Sequence, residues 1–208
     1  NTTHFNKEPR MLKSVIEQYR EGLLIGSGCA NGEIWRNAFE KTPKDVEKVI
    51  DFYDYIEVQP PVEYLHLFKL EEDTEFALNQ IKDTIDLIIR IAKKHNKLVV
   101  ATGDVHYNTP DQKLLRDIYI ATQGIGGVRH PLHIYDAERR KKTIHPDQHF
   151  RTTDEMLECF AWMGKEKALE LVVENTNKIA DMCEFIKPVH DKLYTPVIDG
   201  ADQKLTDI

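Results

Sequence analysis

The sequence predicts an α/β fold, with parallel strands flanked by outer helices, because short apolar β-type runs recur and each leads through a loop into a helical pattern. A second observation agrees: the loops that follow the runs carry glycine and ligand-type side chains. In folds of this class the chemistry collects in loops at the C-terminal ends of the strands. The first run is Gly22-Leu23-Leu24-Ile25-Gly26, followed by the turn Ser27-Gly28-Cys29-Ala30-Asn31-Gly32 and a helical pattern through Ile34, Trp35, Ala38 and Phe39. The second run covers 53–58 and ends at Glu57 and Gln59 before Pro60-Pro61. A long helix follows it, with Leu78, Ile81, Ile85, Ile88 and Ala92 spaced by three and four while Lys82, Asp86, Arg90 and Lys93 face out. Asn96, after His95, is its stop signal. The third run is Leu98-Val99-Val100-Ala101. Thr109-Pro110-Asp111-Gln112 then reads as an N-cap, a proline at the first helical position and a capping-box glutamine, predicting a helix over 111–121.

The third run also carries the most informative motif, Thr102-Gly103-Asp104-Val105-His106. In extended chain, side chains two apart share a side, so Asp104 and His106 are placed to share a metal ion. The competing reading is a strand end in which Asp104 caps a turn and His106 is half buried. Cys29 lies between glycines after a strand, where a thiolate reaches a borderline metal such as zinc; a structural role fits it equally. Cys159 and Cys183 sit among Met156, Phe160, Ile179 and Ile186 at helical spacing and read as core residues. Glu57 is an unusual carboxylate in an apolar strand, and Gln59 faces the same way. Their roles stay open at this point.

Composition narrows the classes. At 208 residues and 41% hydrophobic, the chain can bury a core of one domain or one domain plus an appendage. No apolar run reaches membrane-spanning length and no leader pattern precedes the first helix, so no membrane is expected. The 3 cysteines are widely spaced and fit a reduced, cytoplasmic protein. A net charge of -7 opposes a general grip on nucleic acid by this segment alone. The basic cluster Arg139-Arg140-Lys141-Lys142 reads as a solvated loop. The chain opens at Asn1 within polar sequence and is expected to belong to something longer.

His66, His130, His133, His145, His149 and His190 lie in polar or loop stretches and are expected at the surface; His95 suits a helix C-terminus. His4 has no role from local context. Gln123-Gly124-Ile125-Gly126-Gly127-Val128 lacks the lysine and serine or threonine of a phosphate-binding loop and reads as flexible. The segment on to His149 is expected to be a surface excursion. A capping box at Thr152-Thr153-Asp154-Glu155 opens a helix that Gly164 closes. A second helix is expected over 166–184, with Ala168, Leu171, Val172, Ile179, Met182 and Cys183 on its apolar face. The chain after Pro188 reads as an extended exit.

Several stretches carry a resemblance in order along the chain: Leu23-Leu24-Ile25-Gly26-Ser27-Gly28-Cys29, Asp54-Tyr55-Ile56-Glu57-Val58-Gln59-Pro60, Ala101-Thr102-Gly103-Asp104-Val105-His106-Tyr107, Phe150-Arg151-Thr152-Thr153-Asp154-Glu155-Met156-Leu157 and Leu193-Tyr194-Thr195-Pro196. Together they resemble the PolC-type α subunit of bacterial DNA polymerase III, in the part after the inserted proofreading exonuclease and before the polymerase palm. The resemblance covers nearly the whole chain. It implies a polymerase and histidinol phosphatase (PHP) domain, a distorted β/α barrel with a metal cluster at the strand C-terminal ends. Matched motif by motif, Cys29 takes the cysteine position and Asp104 with His106 the closing Asp-Xaa-His, while His4 falls where a preceding histidine ligand is expected. Glu57 matches a motif residue, and the resemblance does not say what its role is. No catalytic residue is assigned within the chain.

The same resemblance implies that the first half of the metal site, with its His-Xaa-His triplet, a further histidine and a glutamate, lies outside these residues. The expected organisation is then the C-terminal part of a PHP domain over 1–150, a helical connector over 151–187 and an extended linker toward the palm over 188–208. The isolated fragment is expected to bind zinc or manganese weakly and to self-associate through uncovered strand edges. The parent implied is a cytoplasmic DNA-directed DNA polymerase, a magnesium-dependent nucleotidyltransferase working on DNA and deoxynucleotides with other replisome subunits. The alternatives are a free-standing PHP phosphoesterase and a purely structural or interaction module.

Overall fold

The computed structural model describes residues 11–68, 73–122, 127 and 129–187, together with the backbone of 5–6 and 8–9. His4, His190, the expected linker 188–208 and the glycine-rich stretch 123–128 apart from Gly127 lie outside the described residues. The described fold mixes helix and strand. An antiparallel pair, β1 (Phe5–Asn6) and β2 (Glu8–Pro9), is followed by α1 (Lys13–Gln18). The sheet that positions the site pairs β3 (Tyr55–Val58) in parallel with β4 (Leu98–Ala101), Tyr55 opposite Leu98 and Val58 opposite Ala101. Between them lie a 3₁₀ turn, Pro61–Leu67, and α4 (Thr74–Lys94), the crossover that a parallel pair requires.

The expected first strand over 22–26 is reduced to one parallel bridge, Gly26 to Tyr55. Asp54 explains the loss of the ladder. Its carboxylate accepts the Ile25 N–H at 2.6 Å and pairs with Arg20 at 2.9 Å, so a side chain takes a donor that a strand partner would have used.

The core forms where the α4 stripe meets the sheet. Ile81, Ile85, Ile88 and Ala92 are buried against Ile56, Val58, Val99 and Ala101. α2 (Glu33–Glu40) adds Ile34, Trp35 and Ala38, and α3 (Pro43–Ile50) adds Val46 and Ile50. α3, not among the elements expected from the sequence, starts at a capping box that Thr42 and Asp45 form around Pro43. α4 stops as expected: His95 caps it and Asn96 turns left-handed at φ +54°.

Beyond β4, the expected 111–121 helix divides into a 3₁₀ turn, Pro110–Gln112, and α5 (Lys113–Ala121). The Gln112 side chain accepts from the Asn108 N–H at 3.0 Å, one residue before the expected cap, because the tighter turn shifts the donor within reach. The stretch expected as a surface excursion contains α6 (Ala137–Lys141) and then turns inward, burying Pro146, Gln148 and Arg151. Its basic cluster is partly engaged, since Arg140 donates to the Ile134 and Tyr135 carbonyls and Lys141 pairs with Glu138.

α7 (Thr153–Cys159) carries the expected capping box. The last helical stretch is α8 (Lys165–Leu169), a π turn at Glu170–Glu174, and α9 (Asn175–Asp181). The π turn sits where Asn175 is drawn inward, its amide donating to the Val99 carbonyl at 2.9 Å on the outer edge of β4. Ala168, Leu171 and Val172 are buried as expected, and with Met156 and Phe160 they join the same core as α4. Met182 and Cys183 are exposed instead of apolar-face residues, because the helix ends at Asp181 and Phe185 and Ile186 beyond it are also exposed. Cys159 is half-buried and packs on the core. Among the described residues, no helix is long and apolar enough to cross a membrane.

The start of α7 is pH-sensitive with a defined sign. The Thr152 N–H and hydroxyl hold the Glu155 carboxyl below the usual carboxylate range. A lowered folded pKa means that the stabilisation is complete above that range and lost as pH falls through it. Thermal melting of Glu155→Gln is expected to trail the parent protein at neutral pH and to converge with it near about pH 3.

Candidate functional site

β3 and β4 end at one edge of the sheet, and the loops beyond them meet the turn that follows Gly26. Cys29, on the turn after Gly26, and Asp104 with His106, on the loop after β4, line one cavity of about 240 Å³ together with Glu63, His66 and Gln148.

The Cys29 loop is held from below by the strand carboxylate. Gly28 adopts φ +74°, and its N–H donates to Glu57 Oε1 at 3.2 Å. A Cβ on Gly26 would stand 2.4 Å from that same oxygen, so the bridge to β3 requires glycine there. The Glu57 N–H donates to the Ser27 hydroxyl at 2.8 Å, and Glu57 Oε2 accepts from the Thr102 hydroxyl at 3.2 Å. Thr102 in turn accepts from the Gln59 amide at 2.8 Å. Glu57 is therefore occupied bracing the loop, and Gln59, fully buried, lines the cavity beside Tyr64. Burial pushes the Cys29 thiol up, and the charges of Asp104 and Glu57 add to the effect, while N–H groups of the turn oppose it.

Asp104 and His106 are brought together by a turn, which corrects the extended-chain reading. β4 ends at Ala101, and Asp104 takes the left-handed conformation at φ +42°. Aspartate tolerates that region better than most residues, and such strain collects at ligand sites. His106 Nδ1 lies 2.6 Å from the Asp104 carbonyl. A carbonyl only accepts, so Nδ1 carries the proton and the Nε2 lone pair is left for a ligand.

A strap over 147–151 closes the cavity. The His106 N–H donates to the Gln148 carbonyl at 2.9 Å and the Phe150 N–H to the Tyr107 carbonyl at 3.0 Å, a short parallel bridge. The Tyr107 hydroxyl donates to Asp147 at 2.8 Å and accepts the Gln148 N–H at 3.0 Å. Arg151 anchors the strap, donating to Glu63 Oε1 and to the Asp147 carbonyl, each at 2.6 Å. Both charged side chains of the Arg151–Glu63 pair are buried, at 4% and 3% exposure. Burial pushes the Glu63 carboxyl up to about 8, against the pull of the Arg151 guanidinium.

Sequence reasoning missed Glu63, His66 and Gln148. Glu63 follows Pro60-Pro61 in an apolar setting, a signal that went unused. His66 was expected at the surface, yet it lines the cavity, its Nδ1 2.8 Å from the Glu63 carbonyl, and burial lowers its pKa toward the neutral ring. His130 and His145 are likewise partly buried, with pKa values lowered by burial. His149, also expected at the surface, has its ring 12% exposed against Asp147. His133 is half-buried, its Nδ1 3.0 Å from the Ile120 carbonyl. Their burial is an effect of tertiary structure that local polarity does not show.

Among the described residues, no group of three or more His, Cys, Asp or Glu side chains is close enough to hold a metal ion unaided. Three of the lining residues each keep one buried polar atom without a hydrogen-bond partner: Glu63 Oε2, Gln148 Oε1 and the donor Arg116 Nε. A thiol, a carboxylate and an imidazole are ligand types for a divalent cation, but the described residues do not gather them into a group that could hold one. A larger cleft of about 880 Å³ lies beside β4 and α8, but no histidine or cysteine lines it.

Replacing Arg151 with Met is expected to destabilise the protein by about 3–5 kcal/mol in chemical denaturation, since a buried carboxylate loses its partner. The double variant Arg151→Met/Glu63→Gln is expected to recover part of that loss.

No family model matches the chain. Among curated proteins, the DNA polymerase III PolC-type of Bacillus subtilis is 46% identical over 99% of this chain. Those of Halalkalibacterium halodurans and Listeria monocytogenes are 44% and 43% identical over 97% and 99% of it. In each case the chain spans 13% of the relative's length. Over nearly all its residues, the chain is thus a homologue of one segment of the PolC-type DNA polymerases III.

Proposed function

We propose that the chain is the C-terminal part of a PHP-type β/α barrel within a PolC-type replicative DNA polymerase, with 1–150 in the barrel, 151–187 as a helical connector and 188–208 leading toward the palm. The observation that carries this reading is 46% identity to such a polymerase across 99% of the chain. The parent extends primers on DNA with deoxynucleotides, uses magnesium for that transfer, and works in the cytoplasm among other replisome subunits. This segment is not itself catalytic.

Its part is to complete and brace a zinc or manganese site. His4, Cys29, Asp104 and His106 are the proposed ligands, joined by ligands from the first half of the domain. The bound cation supplies Lewis acidity and an acidified water, which suits phosphoester hydrolysis. The chain's own residues prepare for it. The Glu57–Thr102–Gln59 bonds fix the loop bearing Cys29, His106 donates from Nδ1 so that Nε2 is its ligand atom, and the Arg151–Glu63 pair fixes the strap beside the cavity. A bracing role is favoured by the same strap, which ties the ends of both strand loops to the helical part.

The test is Asp104→Ala in the full-length polymerase carrying this segment, with zinc and manganese content measured by mass spectrometry. Loss of bound cation is expected; unchanged content overturns the ligand assignment. Phosphoesterase activity lost with the cation assigns a hydrolytic site, and a lowered melting temperature alone assigns a brace.

A further inference from the structure

We infer that residues 129–145, with the C-terminal end of α5, form a surface for a single DNA strand, stacking its bases on Tyr119 and Tyr135 and meeting its phosphates with arginines. The inference rests on the polymerase reading above for its choice of DNA and needs no cation in the cavity. Tyr119 is 58% exposed and Tyr135 77% exposed. Each ring is nonetheless held nearly perpendicular to an imidazole, Tyr119 to His130 at 5.4 Å and 73°, Tyr135 to His133 at 4.9 Å and 86°. The two supports are joined. The His133 N–H donates to the His130 carbonyl at 2.8 Å, and His133 Nδ1 lies 3.0 Å from the Ile120 carbonyl, next to Tyr119. Both rings are thus fixed in orientation while much of their area faces water.

The charge around the rings runs against that of the chain. Residues 129–145 carry five Lys or Arg and two carboxylates, in a chain of net charge -7. Both carboxylates are engaged within the segment: Asp136 accepts the Arg139 N–H at 2.6 Å, and Glu138 pairs with Lys141 at 2.9 Å. Three guanidiniums have no carboxylate partner among the described residues. Arg116 lies 5.9 Å from the centre of the Tyr119 ring, Arg129 donates to the Ala121 carbonyl at 3.4 Å, and Arg139 is exposed. Tyr135 and Arg139 line one groove of about 460 Å³ with His133 and His145. Held aromatic rings beside unpaired guanidiniums suit a ligand with a negative backbone and flat side groups, which describes an unpaired DNA strand. A duplex keeps its base faces stacked on one another and offers none to the tyrosines.

The experiment uses the full-length polymerase and a single-stranded oligonucleotide carrying bromodeoxyuridine, photo-crosslinked and mapped by mass spectrometry. Links at the Tyr119 or Tyr135 peptide are expected, and links confined to other parts of the polymerase overturn the proposal. Affinity for oligodeoxythymidylate, read by fluorescence anisotropy, is expected to fall about fivefold or more in Tyr119→Ala/Tyr135→Ala. It is expected to stay near the parent value in Tyr119→Phe/Tyr135→Phe, because a phenyl ring also stacks. Equal losses in the two double variants overturn the stacking role, and so does parent-like affinity in the alanine variant. A lowered melting temperature with unchanged DNA affinity in that variant assigns the rings to packing on another domain and overturns the proposal too. Arg139→Gln is expected to reduce the log–log salt slope of binding by about 0.7, one phosphate contact on a single strand, and an unchanged slope overturns that contact. Primer extension by the parent protein tests the polymerase reading separately.

Discussion

A carboxylate and a guanidinium removed from water together constrain everything around them. Glu63 sits in the 3₁₀ turn after β3, Arg151 at the start of the α7 region, and the two meet with almost no exposure. Neither charge can be left alone at that depth, so the segment before Arg151 must run along the cavity mouth. That path ties Asp147 and Gln148 to Tyr107 through hydrogen bonds and lays the strap along the cavity. The pair is better understood as fixing a geometry than as adding stability, since two desolvated charges recover little net free energy.

The cavity shows how a small sheet positions chemistry carried by loops. Two short parallel strands give one common edge, and each loop leaving it is fixed by a different device: glycine and a carboxylate strut for Cys29, a left-handed aspartate for the turn bearing His106. The loops themselves are irregular, yet nearly every polar atom in them has a partner. Among the side chains lining the cavity, Glu63 Oε2, Gln148 Oε1 and Arg116 Nε are the buried atoms without a partner. Asn175 performs a comparable duty on the far side of the sheet, where its amide satisfies the Val99 carbonyl on the free edge of β4.

Legibility in the sequence followed the range of the interaction. The α4 stripe, the β3 and β4 runs and the Thr152 cap depend on neighbours within a few residues, and periodicity and capping chemistry expose such signals. That Cys29, Asp104 and His106 line one cavity was legible because loops at the strand ends of parallel folds converge. The first strand was misjudged because Asp54, nearly thirty positions away, takes the Ile25 N–H. His66 and Gln148 were invisible for a similar reason, and Glu63 gave only its apolar setting after Pro60-Pro61: contacts such as Arg151 to Glu63 span 88 residues, and no local pattern records them. The inward Asn175 likewise sits in a helix whose periodicity gave no sign of a π turn.

The account turns on whether the cavity bounded by Cys29, Asp104 and His106 holds a cation in the complete polymerase. An anomalous diffraction map of full-length crystals, recorded at the zinc and manganese absorption edges, addresses this directly. The account predicts a peak within bonding distance of the Cys29 thiol, the Asp104 carboxylate and the His106 Nε2. A map with no peak there, or with those side chains ligating nothing while metal sits elsewhere, contradicts it.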